Sequence, residues 1–503
     1  MATRLGGALV VLAATLVYVA GGSSAPAAAA EIGYVSLGSP ARLLDTRPGT
    51  DTDDGQFAGG GLRPAQSTLE LPVAGRSGVP VDAASVAVNV TVVEPSASGY
   101  VTVYPCGQPR PTASNLNFAV YAGPGAGAGP ILANLVIAKV GAGGRICLFS
   151  TAPTHLLVDV SGYFPGTDAL TPLAAPARLL DTRSDGATVD GRAAGDGRQP
   201  ANSAHTLQVT GRAGIPTGAT TVVLNVTVDQ PQASGFATAY PCDSSLPTAS
   251  NLNFMPSQTV PNAVVTRVSA TGTVCLFTSA STHLIVDVSG YFVDASVVVP
   301  LGSPARLLDT RSGTSTIDGA HVGVGRRPIE GTYQLPVAGR AGVPADASAV
   351  ILNVTVDDTS WEGFVTVYPA GTTRPNTSNL NYPPSRTVPN AVVARVGSGG
   401  NVCIFNLRPT HLVIDIAGYI VGPPPAAAGS PCPRDPGVLG PPPPGPPPVP
   451  IPTGVPPSTT IVLDPRFDTC EEANAAGYGP YLWARDPEYF WYPDPELDLV
   501  VCD

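Results

Sequence analysis

Charge is scarce in this 503-residue chain, and one kind of charge is nearly missing. Asp, Glu, Lys and Arg together make up 13% of it, and Lys139 is the one lysine, so almost every cation is an arginine. The formal net charge of −11 argues against a nucleic-acid partner and against anionic membrane surfaces. Aromatics are only 6%, and there are five histidines. No His-Glu-x-x-His, no Gly-x-Ser-x-Gly and no glycine-rich phosphate loop occurs, which removes the common footholds for metalloprotease, serine-hydrolase and nucleotide chemistry. Beyond the first residues no run of 18 apolar residues occurs, so membrane insertion after leader removal is not expected. What the chain has instead is 56 glycines and 56 prolines among abundant Val, Leu and Ile, the composition of many short strands joined by tight turns.

Those strands come in three copies. Each copy opens on an Arg-Leu-Leu-Asp-Thr-Arg stretch (within Ser39–Arg47, Ala175–Arg183 and Ser303–Arg311) and closes on a His-initiated strand (His155–Phe164, His283–Phe292 and His411–Ile420). Between them Asn-Val-Thr-Val recurs at Asn89, Asn225 and Asn353, and Ser-Asn-Leu-Asn at Ser114, Ser250 and Ser378. Asn89 to Asn225 is 136 residues and Asn225 to Asn353 is 128, so copy one carries eight extra residues, assigned to the Gly/Ala/Pro run around Ala122–Pro130. A period this long predicts tandem domains of one type.

Within a copy, Val86, Val88, Val90 and Val92 alternate with Ala87, Asn89 and Thr91, which predicts a strand with one face in a core. Further strands are expected at Leu43–Thr46, Thr68–Val73, Tyr100–Tyr104, Asn115–Val120, Leu132–Val140, Ile146–Phe149 and Leu156–Tyr163. About eight strands without a helix predict an all-β chain of three tandem antiparallel β-sandwich domains, Greek-key or jelly-roll-like. The rival architecture is a propeller, which the uneven strand spacing disfavours. The domain plan is a secretory leader at 1–30, repeats at 31–165, 166–293 and 294–421, a Pro-rich linker at 422–464 and a small module at 465–503. The leader has Arg4 before an apolar stretch, Leu5–Ala20, and an Ala-rich cleavage region ending at Ala30.

An exported chain is expected to oxidise its cysteines. Their positions suggest Cys106–Cys147, Cys242–Cys275, Cys403–Cys432 and Cys470–Cys502, with Ala370 standing where copy three should have its first cysteine. The recurring charged residues are Arg42, Asp45, Arg47, His155 and Asp159 with their counterparts. Strict alternation puts Asp45 and Arg47 on one face and Arg42 on the other. An Asp–His catalytic pair is one reading; the stronger one is an Arg–Asp network tying the first and last strands of a repeat together. The Asn-Val-Thr triplets match glycosylation acceptors, but Asn89 falls mid-strand, where a hydrogen bond to a neighbouring loop is the better expectation. No catalytic residue and no cofactor is expected in the repeats.

Across Ser39–Ile420 the motifs resemble a repeat of secreted and wall-associated proteins of high-GC Gram-positive bacteria. That resemblance implies an extracellular or cell-wall location. Residues 422–464, densest in proline at Pro441–Pro444 and Pro446–Pro448, read as an extended polyproline spacer. The acidic end is different again: from Asp464 to Asp503 there are ten carboxylates and two arginines, and a short helix is expected over Thr469–Gly477. With Phe467, Cys470, Ala473, Ala476–Gly477 and the last ten residues, it resembles the excalibur calcium-binding domain. The resemblance implies calcium ligation by Asp494, Glu496, Asp498 and Asp503, with Glu496 for an aspartate, Asp503 for a glutamate and Leu499 where the motif has glycine. The functional expectation is a non-enzymatic surface protein acting by wall association or adhesion on a cell-wall polymer or glycan. The alternatives are a carbohydrate-binding accessory to a wall-processing enzyme, or a hydrolase using the repeat Asp/His/Arg set.

Overall fold

The computed structural model describes residues 1, 33–120, 131–167, 170–294, 296–422 and 431–432, with the backbone of 481–482 and 500–501. The chain divides into two compact units, Met1–Leu439 and Gly440–Asp503. Among the described residues the only helical pieces are two three-residue 3₁₀ turns.

Each repeat forms eight strands. In the first they are β1 (Val35–Asp45), β2 (Ser67–Pro72), β3 (Ser85–Val93), β4 (Gly99–Pro105), β5 (Leu116–Phe118), β6 (Leu132–Lys139), β7 (Arg145–Ser150) and β8 (His155–Phe164). In the second they are β9 (Thr171–Asp181), β10 (Ser203–Gln208), β11 (Thr221–Asp229), β12 (Gly235–Pro241), β13 (Leu252–Phe254), β14 (Thr259–Arg267), β15 (Thr273–Thr278) and β16 (His283–Phe292). In the third they are β17 (Val298–Asp309), β18 (Gly331–Pro336), β19 (Ala349–Asp357), β20 (Gly363–Pro369), β21 (Leu380–Tyr382), β22 (Val388–Arg395), β23 (Asn401–Asn406) and β24 (His411–Ile420). The run to which the extra residues of copy one are assigned, around Ala122–Pro130, lies outside the described residues.

The expectation of three tandem sandwiches is corrected. Each repeat supplies two four-stranded antiparallel sheets, ordered β1-β8-β3-β6 and β2-β7-β4-β5 in the first, and these six four-stranded sheets are the blades of one six-bladed propeller. The innermost strands surround the axis. β6, β14 and β22 touch one another there, and β5 lies against β14, β13 against β22, and β21 against β6. Contacts of β20 and β22 with β1 close the last repeat onto the first. The strand spacing misled because a blade here is not built from consecutive strands: the chain alternates between the two blades of a repeat, as it does between the sheets of a sandwich.

Two kinds of core follow. Within a repeat the facing blades share one apolar cluster, in the first repeat built on Leu43, Leu71, Val88, Val90, Val103, Leu148 and Val158. A separate cluster draws on all three repeats, among them Phe164, Phe292 and Ile420, with Phe164 and Phe292 ring centroids 6.1 Å apart. The β3 strand is buried on both faces rather than one, because the neighbouring repeat covers its Ala87–Asn89–Thr91 side.

What covers that face is an asparagine ring. Asn134 donates to Asn225 Oδ1 at 2.9 Å, Asn262 to Asn353 Oδ1 at 2.7 Å and Asn390 to Asn89 Oδ1 at 2.9 Å, so each repeat reaches the next and the third reaches the first. Asn89, Asn225 and Asn353 in turn donate to the carbonyls of Ser378, Ser114 and Ser250 at 2.6–2.7 Å. Asn89 therefore bonds to a loop, as a mid-strand asparagine requires. The carbonyls of Asn134, Asn262 and Asn390 accept from the backbone N–H groups of Ala263, Ala391 and Leu135 at 3.0–3.2 Å.

Among the described residues three disulfides are formed, Cys106–Cys147, Cys242–Cys275 and Cys403–Cys432, with sequence separations of 41, 33 and 29. The first two link the end of β4 to β7 and of β12 to β15. The third returns the chain after repeat three to β23, where the Cys432 N–H donates to Gln334. Chain entropy assigns each about 3–4 kcal/mol. Cysteine pairs of this kind belong to an oxidising compartment. No helix among the described residues is long and apolar enough to cross a membrane. In the second unit Tyr481–Leu482 pairs antiparallel with Val500–Val501. Residues 2–32, most of the Pro-rich linker, the expected Thr469–Gly477 helix, and Cys470 and Cys502 lie outside the described residues.

The asparagine ring predicts a specific sensitivity. Asn262→Ala removes bonds to Asn251 O, Asn353 Oδ1 and the Ala391 N–H and leaves three buried polar groups without partners. The expected loss is at least about 3 kcal/mol of unfolding free energy, read as a lowered guanidinium midpoint.

Candidate functional site

The charged residues of the Arg-Leu-Leu-Asp-Thr-Arg motif gather at the blade junctions. Arg42 Nε and Nη2 donate to the two oxygens of Asp159 at 2.7 and 3.1 Å, and Nη1 donates to Asp45 at 3.2 Å. Arg47 grips Asp45 through Nε and Nη2 at 3.0 and 2.7 Å. The same set recurs as Arg178/Asp181/Arg183/Asp287 and Arg306/Asp309/Arg311/Asp415. Simple alternation had separated Arg42 from Asp45. A bulge in β1 between Arg42 and Leu44 turns them to the same side. The network ties β1 to β8, and it also crosses repeats: Asp287 accepts the Ser114 N–H and Asp415 the Ser250 N–H, each at 3.3 Å. Asp159 receives the Ser378 N–H in the same way.

Electrostatics separate the two carboxylates in the first and third sets. Burial works against the Asp45 charge, but the Arg47 hydrogen bonds prevail and its pKa lies below the ordinary carboxylate value. Asp181 and Asp309 follow suit. Burial pushes Asp159 and Asp415 upward against the pull of Arg42 and Arg306. A guanidinium with no other exit for its charge keeps each pair together.

The Asp–His pairing that the sequence offers is not assembled. Asp159 is committed to Arg42, while His155 Nδ1 meets Thr46 Oγ1 at 3.1 Å. His283 and His411 meet Thr182 and Thr310 at 3.1 and 2.9 Å. A turn of sequence Gly-Arg-x-Gly-x-Pro, present in each copy as Gly75–Pro80, Gly211–Pro216 and Gly339–Pro344, has its own task. Arg76, Arg212 and Arg340 each reach back to an aspartate in the loop after the first strand (Asp54, Asp190 and Asp318) at 2.6–2.7 Å. Arg76 also donates to the Leu43 and Pro72 carbonyls.

Openings lie at the junctions and on the axis. A small axial cavity of about 80 Å³ is lined by inner-strand residues of all three repeats, including Leu116, Val260 and Val388. A cleft of about 310 Å³ lies where repeat three meets repeat one, between Phe364, Arg374 and Thr377 on one side and Arg42, Arg47 and Thr91 on the other. A wider one of about 690 Å³ lies where repeat two meets repeat three, lined by Arg311, Asp357, Asp358 and Arg386. Each repeat also carries an aromatic pair: Tyr100 with Phe149, Phe236 with Phe277 and Phe364 with Phe405, at centroid distances of 6.4, 5.7 and 5.8 Å. Arg110 and Arg374 stack on Phe149 and Phe405 at 3.8 Å. Sequence reading passed over these clefts. Their signal was the set of positions at which one copy departs from the others, Val93 and Thr377 among them.

Among the described residues no group of three or more His, Cys, Asp or Glu side chains is placed to hold a metal ion. Asp494, Glu496, Asp498 and Asp503, which the excalibur likeness assigns to calcium, lie outside the described residues. No protein-family model and no curated protein matches the chain's sequence.

The loop pairs set a pH dependence. Asp190 is held at about 2, first by the Arg212 hydrogen bonds. A depressed folded pKa gives stability that is complete above the unfolded aspartate value of about 3.9 and is lost as pH falls through about 2. Wild type is therefore expected to exceed Asp190→Asn in unfolding free energy above pH ~4, the gap closing toward pH ~2, as followed by urea unfolding at each pH.

Proposed function

We propose that the protein is secreted and acts at the cell surface by wall association or adhesion, the propeller presenting its blade junctions as repeated binding clefts without chemical conversion of the ligand. One observation carries this reading: the residues that the repeats share are spent on closing the ring, and what they leave open are clefts between repeats. The three-fold recurrence of the junction suits multivalent engagement of a polymer, where linked weak sites add avidity. The disulfides support an extracellular setting.

A second reading, a carbohydrate-binding accessory to a wall-processing enzyme, draws support from the recurring aromatic pairs. Tyr100, Phe236 and Phe364 are each half-buried, and such rings offer apolar faces to sugars. The acidic C-terminal module, on its excalibur likeness, is proposed as a calcium-dependent anchor.

Sedimentation of mature protein with isolated cell wall, in calcium and in chelator, tests the reading. A truncation after Leu439 keeps Cys432 and its disulfide. Cosedimentation of the truncated protein in chelator is expected if the propeller holds the wall; binding that needs both tail and calcium assigns the anchor to the last module. No binding by either form overturns wall association.

A further inference from the structure

The three junctions share a plan but not a charge. Behind each lies the same Arg–Asp network, and among the positions at which the copies differ three bear on the charge and hydrogen bonding of the cleft. Where repeats two and three carry Asp229 and Asp357, repeat one has Val93. Asp357 takes the Arg311 Nη1 at 2.9 Å and Asp229 approaches Arg183 Nη1 at 3.7 Å, so Arg47 is the member of its set without that second carboxylate. On the opposite wall the aromatic-stacked arginine is Arg374 in repeat three and Arg110 in repeat one, but Leu246 in repeat two. Thr377 stands where the other copies have Ala113 and Ala249.

Val93 and Thr377 meet in the cleft between repeats three and one, together with Arg374. Its lining contains Arg42, Arg47 and Arg374 and no carboxylate, whereas the cleft between repeats two and three is lined by Asp357 and Asp358 with Arg311 and Arg386. Glu94, the nearest acidic residue along β3, is exposed and outside the lining. Two hydroxyls in the lining supply an independent sign. Thr91 and Thr377 are 1% and 5% exposed, and neither Oγ1 has a hydrogen-bond partner. A buried hydroxyl without a partner costs free energy that a ligand can return. Asn381, also in the lining, accepts from the Ser378 hydroxyl at 2.9 Å through its carbonyl oxygen, which leaves its amide as a donor. Phe364 adds an apolar wall.

We propose that this cleft binds a carboxylate-bearing saccharide, the acid group held between Arg47 and Arg374, the ring hydroxyls met by Thr91, Thr377 and Asn381, and the ring set against Phe364. Three arginines face the two carboxylates Asp45 and Asp159 behind them, so one positive charge is left over, which matches a monoanion. Planar guanidinium donors suit a carboxylate. The proposal rests on the cleft's own geometry and holds whether or not the protein associates with walls; purified sugars report on the cleft alone, so the two readings fail in different experiments.

The test uses mature protein and isothermal titration with glucuronic acid and N-acetylmuramic acid, against glucose, N-acetylglucosamine and inorganic phosphate. Binding of at least one acid is expected, with its neutral counterpart about tenfold weaker or more, a difference of about 1.4 kcal/mol. Which acid binds tells an extracellular uronate polymer from a wall glycan as the source. Three substitutions borrow the residue of a sister repeat: Arg374→Leu, Thr377→Ala and Val93→Asp, the last made together with Ile131→Thr because Asp229 and Asp357 accept from Thr259 and Thr387. Each is expected to weaken the acid severalfold, and the combined variant to abolish its binding while its thermal midpoint stays near wild type. Equal binding of acid and neutral sugar, tighter binding of inorganic phosphate, affinity unchanged in the combined variant, or no binding of either acid would each overturn the proposal.

Discussion

Closure of the ring rests on six buried asparagines. A six-bladed ring closes only if the same interface can be made at each repeat junction, and the interface must satisfy backbone groups where the short strands β5, β13 and β21 meet the next repeat. An amide does this because it donates and accepts at once. Asn390 gives its N–H groups to Asn89 and to the Asn379 carbonyl and takes the Leu135 N–H, so one side chain stitches three segments together. A charged pair in the same place would carry a large desolvation cost; an aliphatic side chain would leave backbone donors and acceptors stranded. Asn-Val-Thr-Val and Ser-Asn-Leu-Asn are the two halves of that joint, which is why both recur in every copy.

The Arg–Asp network adds a second bond across the same joint. Asp287 holds Arg178 of its own repeat and the Ser114 N–H of the preceding one. Intra-repeat and inter-repeat structure therefore depend on a single buried carboxylate, and the coupling explains why this charged motif recurs in every copy. The Gly-Arg-x-Gly-x-Pro turn works likewise at the outer edge, where positive φ at Gly75, Gly211 and Gly339 lets the turn present its arginine to the loop aspartate.

Much of this was legible in the sequence at the level of elements and little of it at the level of assembly. Eight strands per repeat follow from β-branched alternation and Gly/Pro punctuation, and the Arg42–Asp159 tie follows from placing both motifs on strands. Strand order does not follow, because β1 pairs with β8 and β3 with β6 across more than forty residues, and periodicity carries no signal at that range. The polar alternation Ala87–Asn89–Thr91 reads as a solvent face, yet it is the buried seam between repeats; a strand pattern distinguishes apolar from polar, not solvent from a hydrogen-bonding neighbour. The β1 bulge similarly defeats counting by twos from Arg42 to Asp45.

The same logic says where function can reside in a closed repeat. Positions identical in all three copies are bound to serve what all three junctions share, and here that is closure. Function has freedom only where closure does not constrain the residue, on the cleft walls and in the loops. Val93, Leu246 and Thr377 are such departures, and each changes the charge or hydrogen-bonding capacity of a cleft while the asparagine ring beside it is unaltered. An architecture that spends its shared polar residues on its own seams can thus hold clefts of different chemistry at its junctions, and repetition gives valence while divergence gives specificity.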